Sequence, residues 1–439
     1  MPQWLGRHKW LLLTVAVMIV GLLAFAACKD DKKEGKTPTG DETPPPADQL
    51  RIGLLGCFTG ALAPFGPDYT NSANLALKHI NDAGGVLGNP VALRIGDTQT
   101  LPQPGVAEAR RLVDIEHVSA IVGACASGVT LAVAESVTVP AGILQISMAS
   151  TSPALTDVAD NDFLFRTPIS DEAQGVILAD LVEELGFASV CTMYINNAYG
   201  QGLSEKFASE FTGTVTAQIS HTAETAPSYS AELDQCVAGD PEALVAISYV
   251  QGQADVYLKE AVEGGIIDKF VFVDGTKSDA MFGTLGWENF DGMKGTAPGA
   301  LETEFGATFD TEFEARYKYL YQTPFNRETY DAVIAIALAA EKAGSTDSAA
   351  IRDALRDIAN APGEAVGPGA AGVKAALEAV RAGTDVDYQG AAGSIEWDAN
   401  GDVLVGAIEI WHVDAAAKKL VTESRFKVDL TTGEVTPIE

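Results

Sequence analysis

From Leu50 onward, short apolar runs alternate with longer stretches of helical period. Parallel strands need a crossover between them, usually a helix, so such a rhythm leaves little but an α/β fold. Leu50–Gly56, Val91–Ile95, Ser119–Val122 and Ile143–Ile146 read as strands. Between them, Tyr69–Ala83, Val106–Ile115 and Val129–Val139 carry apolar residues at helical spacing. The rhythm restarts with a helix at Asp171–Leu185. Strands follow at Ser189–Ile195, Val215–Ile219, Leu244–Ile247 and Phe270–Val273, with helices at Gly202–Phe211, Ser230–Cys236 and Ala254–Glu263. Two doubly wound, Rossmann-like lobes with parallel sheets are expected. The chain's 439 residues also exceed what one core usually supports.

Beyond Gly292 a further strand is expected, then helices at Thr311–Tyr321, Glu328–Lys342 and Ala349–Ala359. Ala361–Gly390 is rich in Ala and Gly and reads as a surface insertion with one short helix. A hairpin is expected at Ser394–Trp397 and Val403–Val413, turning at Asp398-Ala399-Asn400-Gly401, because Asn-Gly favours tight turns.

The N-terminus carries an address. Arg7, His8 and Lys9 precede an uncharged, mostly apolar run, Trp10 to Ala27, which ends Leu23-Ala24-Phe25-Ala26-Ala27-Cys28. Small residues before a cysteine resemble a lipobox. Residues 1–27 are then a lipoprotein signal peptide and Cys28 is the acylated residue. The other reading is an uncut anchor, since 18 residues just suffice to span a bilayer. Both place the rest of the chain outside the cytoplasm, in the cell envelope. Residues 28–48, charged and then Pro-rich, cannot build a core and read as a tether of at most about 65–70 Å.

A net charge of −31 opposes nucleic acid and anionic lipid headgroups as partners of the folded body. Four cysteines follow the lipobox: Cys57, Cys125, Cys191 and Cys236. An even number in an exported chain points to disulfides, with four buried thiols as the alternative. Cys57 and Cys125 fall in loops after the first and third strands, which are neighbours in a doubly wound sheet. They are expected to pair, leaving Cys191 with Cys236.

Ligands of doubly wound sheets sit beyond the C-terminal ends of the strands. The loops there, and the turns around them, carry a series of short marks. These are Ile52-Gly53, Thr59-Gly60, Ile80-Asn81-Asp82-Ala83-Gly84-Gly85-Val86-Leu87-Gly88, Ile121-Val122-Gly123, Ser127-Gly128-Val129-Thr130, Ile146-Ser147, Thr151-Ser152-Pro153 and Tyr199-Gly200-Gln201-Gly202. In this order and spacing, the chain from Leu50 to about Val413 resembles the type I periplasmic binding proteins, in the branch that binds leucine, isoleucine and valine. The resemblance implies two lobes joined by three crossovers, residues 49–168 with about 298–393 and residues 169–297 with about 394–439, closing on a ligand.

It also implies a ligand set. Ser127, opening a helix, would hold a carboxylate with nearby N–H groups. Ala149 and Thr151 would complete the grip on carboxylate and amine. Tyr199 would cover the ligand, Asp274 would pair with its α-ammonium, and Phe65 would line the side-chain pocket. At the place where the branch often has a second tyrosine stands Val250, between Tyr249 and Gln251, and the acid is Asp rather than Glu. Those departures bear on the side chain recognised and leave the α-amino-acid grip intact.

Other classes fit less well. The five histidines, His8, His79, His117, His221 and His412, form no metal motif, and neither a Gly-x-Ser-x-Gly elbow nor a phosphate loop occurs. No enzyme, metal or cofactor is therefore expected. The expected function is delivery of an amino acid, branched-chain or otherwise hydrophobic, to the membrane subunits of an ABC importer by a lipid-anchored monomer. An amide, urea-like or organic-acid ligand, or a ligand-presenting sensor, is the alternative.

Overall fold

The computed structural model describes residues 49–438. The signal peptide, the tether and Cys28 lie outside the described residues.

The first lobe begins with β1 (Arg51–Gly56), α1 (Gly66–Asp82), β2 (Ala92–Asp97), α2 (Pro102–Asp114) and β3 (Ala120–Gly123). Then come α3 (Ser127–Val133, carried on through a wider turn to Ala141), β4 (Leu144–Ser147) and β5 (Leu164–Arg166). The five strands form one parallel sheet in the order β2-β1-β3-β4-β5. The second lobe runs α4 (Asp171–Glu184), β6 (Ser189–Ile195), α5 (Ala198–Glu210), β7 (Thr214–His221), α6 (Ser230–Val237), β8 (Ala243–Ile247), α7 (Asp255–Gly264), β9 (Phe270–Phe272), α8 (Asp279–Leu285) and β10 (Lys294–Gly299).

The chain then returns to the first lobe. α9 (Glu304–Tyr317), α10 (Asn326–Ala343) and α11 (Ser348–Ala359) are followed by β11 (Glu364–Val366), α12 (Gly369–Arg381) and β12 (Val386–Tyr388). α10 is buried from Asn326 to Ala340 because α1, α11 and α12 pack around it. A third crossing leads to β13 (Val405–Asp414), β14 (Lys419–Asp429) and β15 (Glu434–Ile438), which extend the second sheet antiparallel. Its order is β7-β6-β8-β9-β10-β13-β14-β15. The architecture is α/β, two doubly wound lobes joined by three crossovers, as the resemblance implied.

Three sequence expectations need correcting, and one strand has no counterpart among them. The helix expected at Thr311–Tyr321 lies at Glu304–Tyr317 and stops where Lys318 turns left-handed, at φ 68°. The segment 361–390 is no loose insertion. Its strands β11 and β12 pair in parallel, and Val373, Ala376 and Leu377 of α12 are buried against the first lobe. The turn at Asp398–Gly401 forms, but only one bridge, Trp397 to Val403, flanks it. Residues 394–397 are held instead by packing: the Trp397 indole donates to the Arg166 carbonyl at 2.7 Å and meets the Phe165 ring edge-on. The true partners of β13 are β10 and β14. Strand β5 was not expected at all. Its three residues end in a buried arginine, which no apolar pattern marks. Arg166 is neutralised by Asp402 at 2.7 Å.

Disulfides join Cys57 to Cys125 and Cys191 to Cys236. The first ties the loop after β1 to the loop after β3; the second ties β6 to α6.

Candidate functional site

The C-terminal ends of the parallel strands in the two lobes face one another, and between them lies a narrow, tightly lined cavity. Leu62, Phe65 and Tyr69, from the end of β1 and the start of α1, form one apolar wall, and Phe325 before α10 adds to it. Ser127 and Ala149 come from the loops after β3 and β4, and Cys125 lies beside Ser127. The second lobe contributes Tyr199, Tyr249, Asp274 and Gly275.

Each side chain is positioned by local chemistry. Asn197 caps α5 by accepting from the Gly200 N–H at 2.9 Å, which sets Tyr199 in the first turn. The rings of Tyr199 and Tyr249 stack, with centroids 5.4 Å apart and planes 13° from parallel. Asp274 follows β9 and is 4 % exposed. Its Oδ1 accepts from the Tyr199 hydroxyl at 2.7 Å and the Gln174 amide at 2.9 Å. Gly275 admits no side chain, since a Cβ there would sit 2.4 Å from the Ser248 carbonyl oxygen. Ser127 is buried at the start of α3, where unpaired N–H groups favour an anion, and its hydroxyl accepts from the Ser152 N–H at 3.3 Å.

A second carboxylate stands behind the first. Asp171, at the start of α4, is buried, and its pKa is raised by loss of water and then by the charge of Asp274. Burial likewise raises the Asp274 pKa, against the hydrogen bonds from Tyr199 and Gln174. Among the described residues no lysine, arginine or histidine forms an ion pair with either acid. Asp171 Oδ1, Gln174 Oε1 and the Tyr69 hydroxyl are buried with no hydrogen-bond partner. Unpaired buried groups of this kind are costly, and each calls for a structural or functional reason.

Of the residues singled out from sequence, Ser127, Ala149, Tyr199, Asp274 and Phe65 converge on this cavity. Thr151 does not line it. Its hydroxyl donates to Asp171 Oδ2 at 2.9 Å, and its carbonyl accepts from the Asp171 N–H. The sequence reading missed Tyr249, Tyr69, Phe325, Asp171 and Gln174. Tyr249 was passed over for Val250 because residue counting ignores the irregular turn after β8, where Gly252 takes φ 70°. Tyr69 had a signal: it lies four residues after Phe65, on the same face of α1.

The lobes touch across the cleft. The Ser152 hydroxyl donates to the Ala198 carbonyl at 2.7 Å, and the Gln251 N–H donates to the Ala61 carbonyl at 3.0 Å. Gly202 faces Pro153 so closely that a Cβ would lie 3.0 Å from its Cδ.

The chain resembles known proteins over most of its length. A profile described as periplasmic binding protein matches residues 49–371. A Leu/Ile/Val-binding protein homolog from Brucella melitensis is 30 % identical over 322 residues, 70 % of this chain and 83 % of that one. The substrate-binding protein BasB of a chemotactic signal transduction system, from Halobacterium salinarum, is 25 % identical over 79 % of this chain and 82 % of its own. The leucine-binding protein LivK of Thermotoga maritima superposes with a TM-score of 0.71 at 23 % identity, covering 86 % of this chain and 98 % of that one. LivJ of Streptococcus pneumoniae, solved with isoleucine, gives 0.70 at 23 % identity over 89 % of this chain and all of its own. The chain therefore belongs to the periplasmic binding protein family and is a type I solute-binding protein, related to the leucine, isoleucine and valine binders.

Proposed function

We propose that this protein binds an α-amino acid between its lobes and hands it to the membrane subunits of an ABC importer. The observation that carries the reading is the buried pair Asp274 and Asp171, with which no lysine, arginine or histidine forms an ion pair among the described residues. An ammonium group is stable there only against an opposite charge, and a buried carboxylate has the same need. The ligand's α-ammonium would satisfy Asp274. Its carboxylate would meet Ser127 and the start of α3. The stacked tyrosines, Phe65 and Leu62 favour an apolar side chain or stem. Thr151 acts one step back, orienting Asp171.

Closure follows from contacts made by both lobes. A ligand that touches Ser127 on one side and Asp274 on the other favours the closed state and shifts the population toward it. Cys28 would carry the lipid that keeps this body near its importer, as a monomer, on the outer side of the cytoplasmic membrane. Among the described residues no helix is long and apolar enough to cross a membrane. A sensing role is the second reading, prompted by the chemotactic relative.

Calorimetry with the common amino acids tests the proposal. Asp274→Asn is expected to weaken binding by about 100-fold, the loss for removing one member of a buried charge pair, with the fold retained. Tight binding of an acid without an α-ammonium, indifferent to Asp274→Asn, would replace the amino acid with an organic acid as the ligand. Separately, Cys28→Ser is expected to release the protein from membranes; full retention would favour the uncut anchor.

A further inference from the structure

Two residues of the loop after β4, Thr151 and Ser152, reach both lobes. The Thr151 hydroxyl donates to Asp171 Oδ2 at 2.9 Å, and the Thr151 carbonyl accepts from the Asp171 N–H at 2.8 Å. The Ser152 N–H donates to the Ser127 hydroxyl at 3.3 Å. The Ser152 hydroxyl donates across the cleft to the carbonyl of Ala198, one residue before Tyr199, at 2.7 Å. A loop lacks the regular ladder of a strand or helix, so its geometry depends on what grips its backbone. Here the grip is a single nitrogen. Nη1 of Arg166 donates to both carbonyls, that of Thr151 at 3.0 Å and that of Ser152 at 2.9 Å.

Arg166 ends β5 and is 1 % exposed. Its other nitrogens are also engaged. Nε is ion-paired with Asp402, in the third crossover, at 2.7 Å. Nη2 donates to the Thr156 hydroxyl at 3.1 Å, and that hydroxyl donates to the second Asp402 oxygen at 2.7 Å. The backbone joins the same two crossovers: the Arg166 N–H donates to the Gly401 carbonyl at 3.0 Å, and Ile169 bridges to Val403. Arginine alone offers a rigid planar fork of five N–H donors, so one side chain can hold two carbonyls, a hydroxyl and a carboxylate at once. A buried ion pair adds little net stability, because desolvation offsets most of the attraction. Its value here lies in the geometry it fixes.

We propose that Arg166, anchored by Asp402, is a positioning residue for solute binding, acting through Thr151 and Ser152 on Asp171, Ser127 and the closing contact at Ala198. This rests on the α-amino-acid reading of the cavity. Arg166 is not among the residues that line the cavity, so it reaches a bound solute through others. Its charge also opposes the rise in the Asp171 pKa that burial and Asp274 cause. A loosened Arg166 would release three things together: the acid of the second lobe, the hydroxyl of the first, and the hydrogen bond between them. The site is thereby set from the crossovers that join the lobes.

The test is a double-mutant cycle on the whole protein. It is read by calorimetry with the common L-amino acids, at a temperature where circular dichroism shows every variant folded. Arg166→Lys keeps the charge and loses the fork. It should weaken the amino acid that the native protein binds most tightly by about tenfold or more. Ser152→Ala removes the hydroxyl that crosses the cleft. In that background Arg166→Lys should cost about threefold less affinity than in the native chain, a coupling typical of residues in one hydrogen-bond network. A side chain that only stabilises the fold shows no such coupling. Equal losses in the two backgrounds, or native affinity in folded Arg166→Lys, overturn the proposal and leave the amino-acid reading standing. Should Arg166→Lys fail to fold, Thr156→Val takes its place in the cycle, since it removes only the hydroxyl that Arg166 shares with Asp402, and the same outcomes decide. If the native protein binds no α-amino acid, the underlying reading falls and this one with it.

Discussion

Burial sets the pH behaviour of single residues here, and it acts with opposite signs on two of them. His221 is buried at the end of β7, and loss of water lowers its pKa to about 4. Its Nδ1 faces the Thr222 carbonyl at 3.0 Å, and its Nε2 faces the Ser248 hydroxyl at 2.9 Å. The neutral ring donates through Nδ1 and accepts through Nε2. In the unfolded chain a histidine titrates near 6.5, so the folded state resists a proton that the unfolded state takes up. The stability this confers is complete above about pH 6.5 and is lost as pH falls through 4. His221→Gln should therefore flatten the loss of urea stability between pH 7 and 4, by about 1–3 kcal/mol; an equal slope in both proteins would deny His221 that role. Glu328 runs the other way. Its pKa is raised to about 8 by burial, with Asp331 on its own helix and Glu409 from the second lobe adding to the rise and Arg327 opposing it. Burial favours the protonated acid in the folded chain, so stability is complete below about 4.5 and falls as pH rises through 8. Without ligand, E328Q should gain in thermal midpoint over the native protein as pH rises from 5 to 9. A constant difference across that range would contradict the assignment.

At the level of elements, the two disulfides make separable predictions. Cys57–Cys125 clamps the loops after β1 and β3, and Cys125 lines the ligand cavity. Cys191–Cys236 joins β6 to α6, away from the cavity-lining residues. Replacing either pair by serine should cost about 2–5 kcal/mol in chemical denaturation. Only the first replacement should also weaken the ligand in calorimetry, since it frees the wall beside Ser127; equal affinities would detach the clamp from binding. Much of this architecture was legible in the sequence, because period-2 and period-3.6 burial patterns declare long elements. β1, β6 and α4 lie within a residue or so of where their patterns end. Elements held by tertiary partners left no such mark. β5 is three residues long and ends in Arg166, whose burial depends on Asp402 far along the chain. β14 and the edge strand β15 are largely half-exposed, with mixed composition. The site divided in the same way. Ser127 and Asp274 follow strands and could be placed by counting, whereas Tyr249 sits at an irregular turn after β8 and Tyr69 and Phe325 are brought in by the packing of α1 against α10, which counting does not capture.

The whole molecule must open to admit a solute, and its closed form rests on few direct contacts. Ser152 with Ala198 and Gln251 with Ala61 supply two hydrogen bonds across the cleft, each worth only about 1 kcal/mol net. The chain's charge of −31 opposes any compaction. Ligand contacts from both lobes must therefore supply most of the bias toward closure, and a small steric penalty at the rim should reverse it. Gly202 is the place to impose one, because it meets Pro153 directly and a Cβ there would already lie 3.0 Å from the ring. Proline cannot yield by changing rotamer, so the branched side chain of Gly202→Val would have to push the lobes apart. The variant leaves the ligand-cavity lining untouched. It should lower affinity about tenfold, the effect of roughly 1.4 kcal/mol on the closed state. Small-angle scattering distinguishes this from damage to the site. At saturating ligand the native protein should contract relative to its ligand-free form, while Gly202→Val should contract less at equal occupancy. Full contraction with normal affinity would show that Gly202 and Pro153 do not limit closure, and the bias would have to lie deeper, at Asp274 and the tyrosine stack.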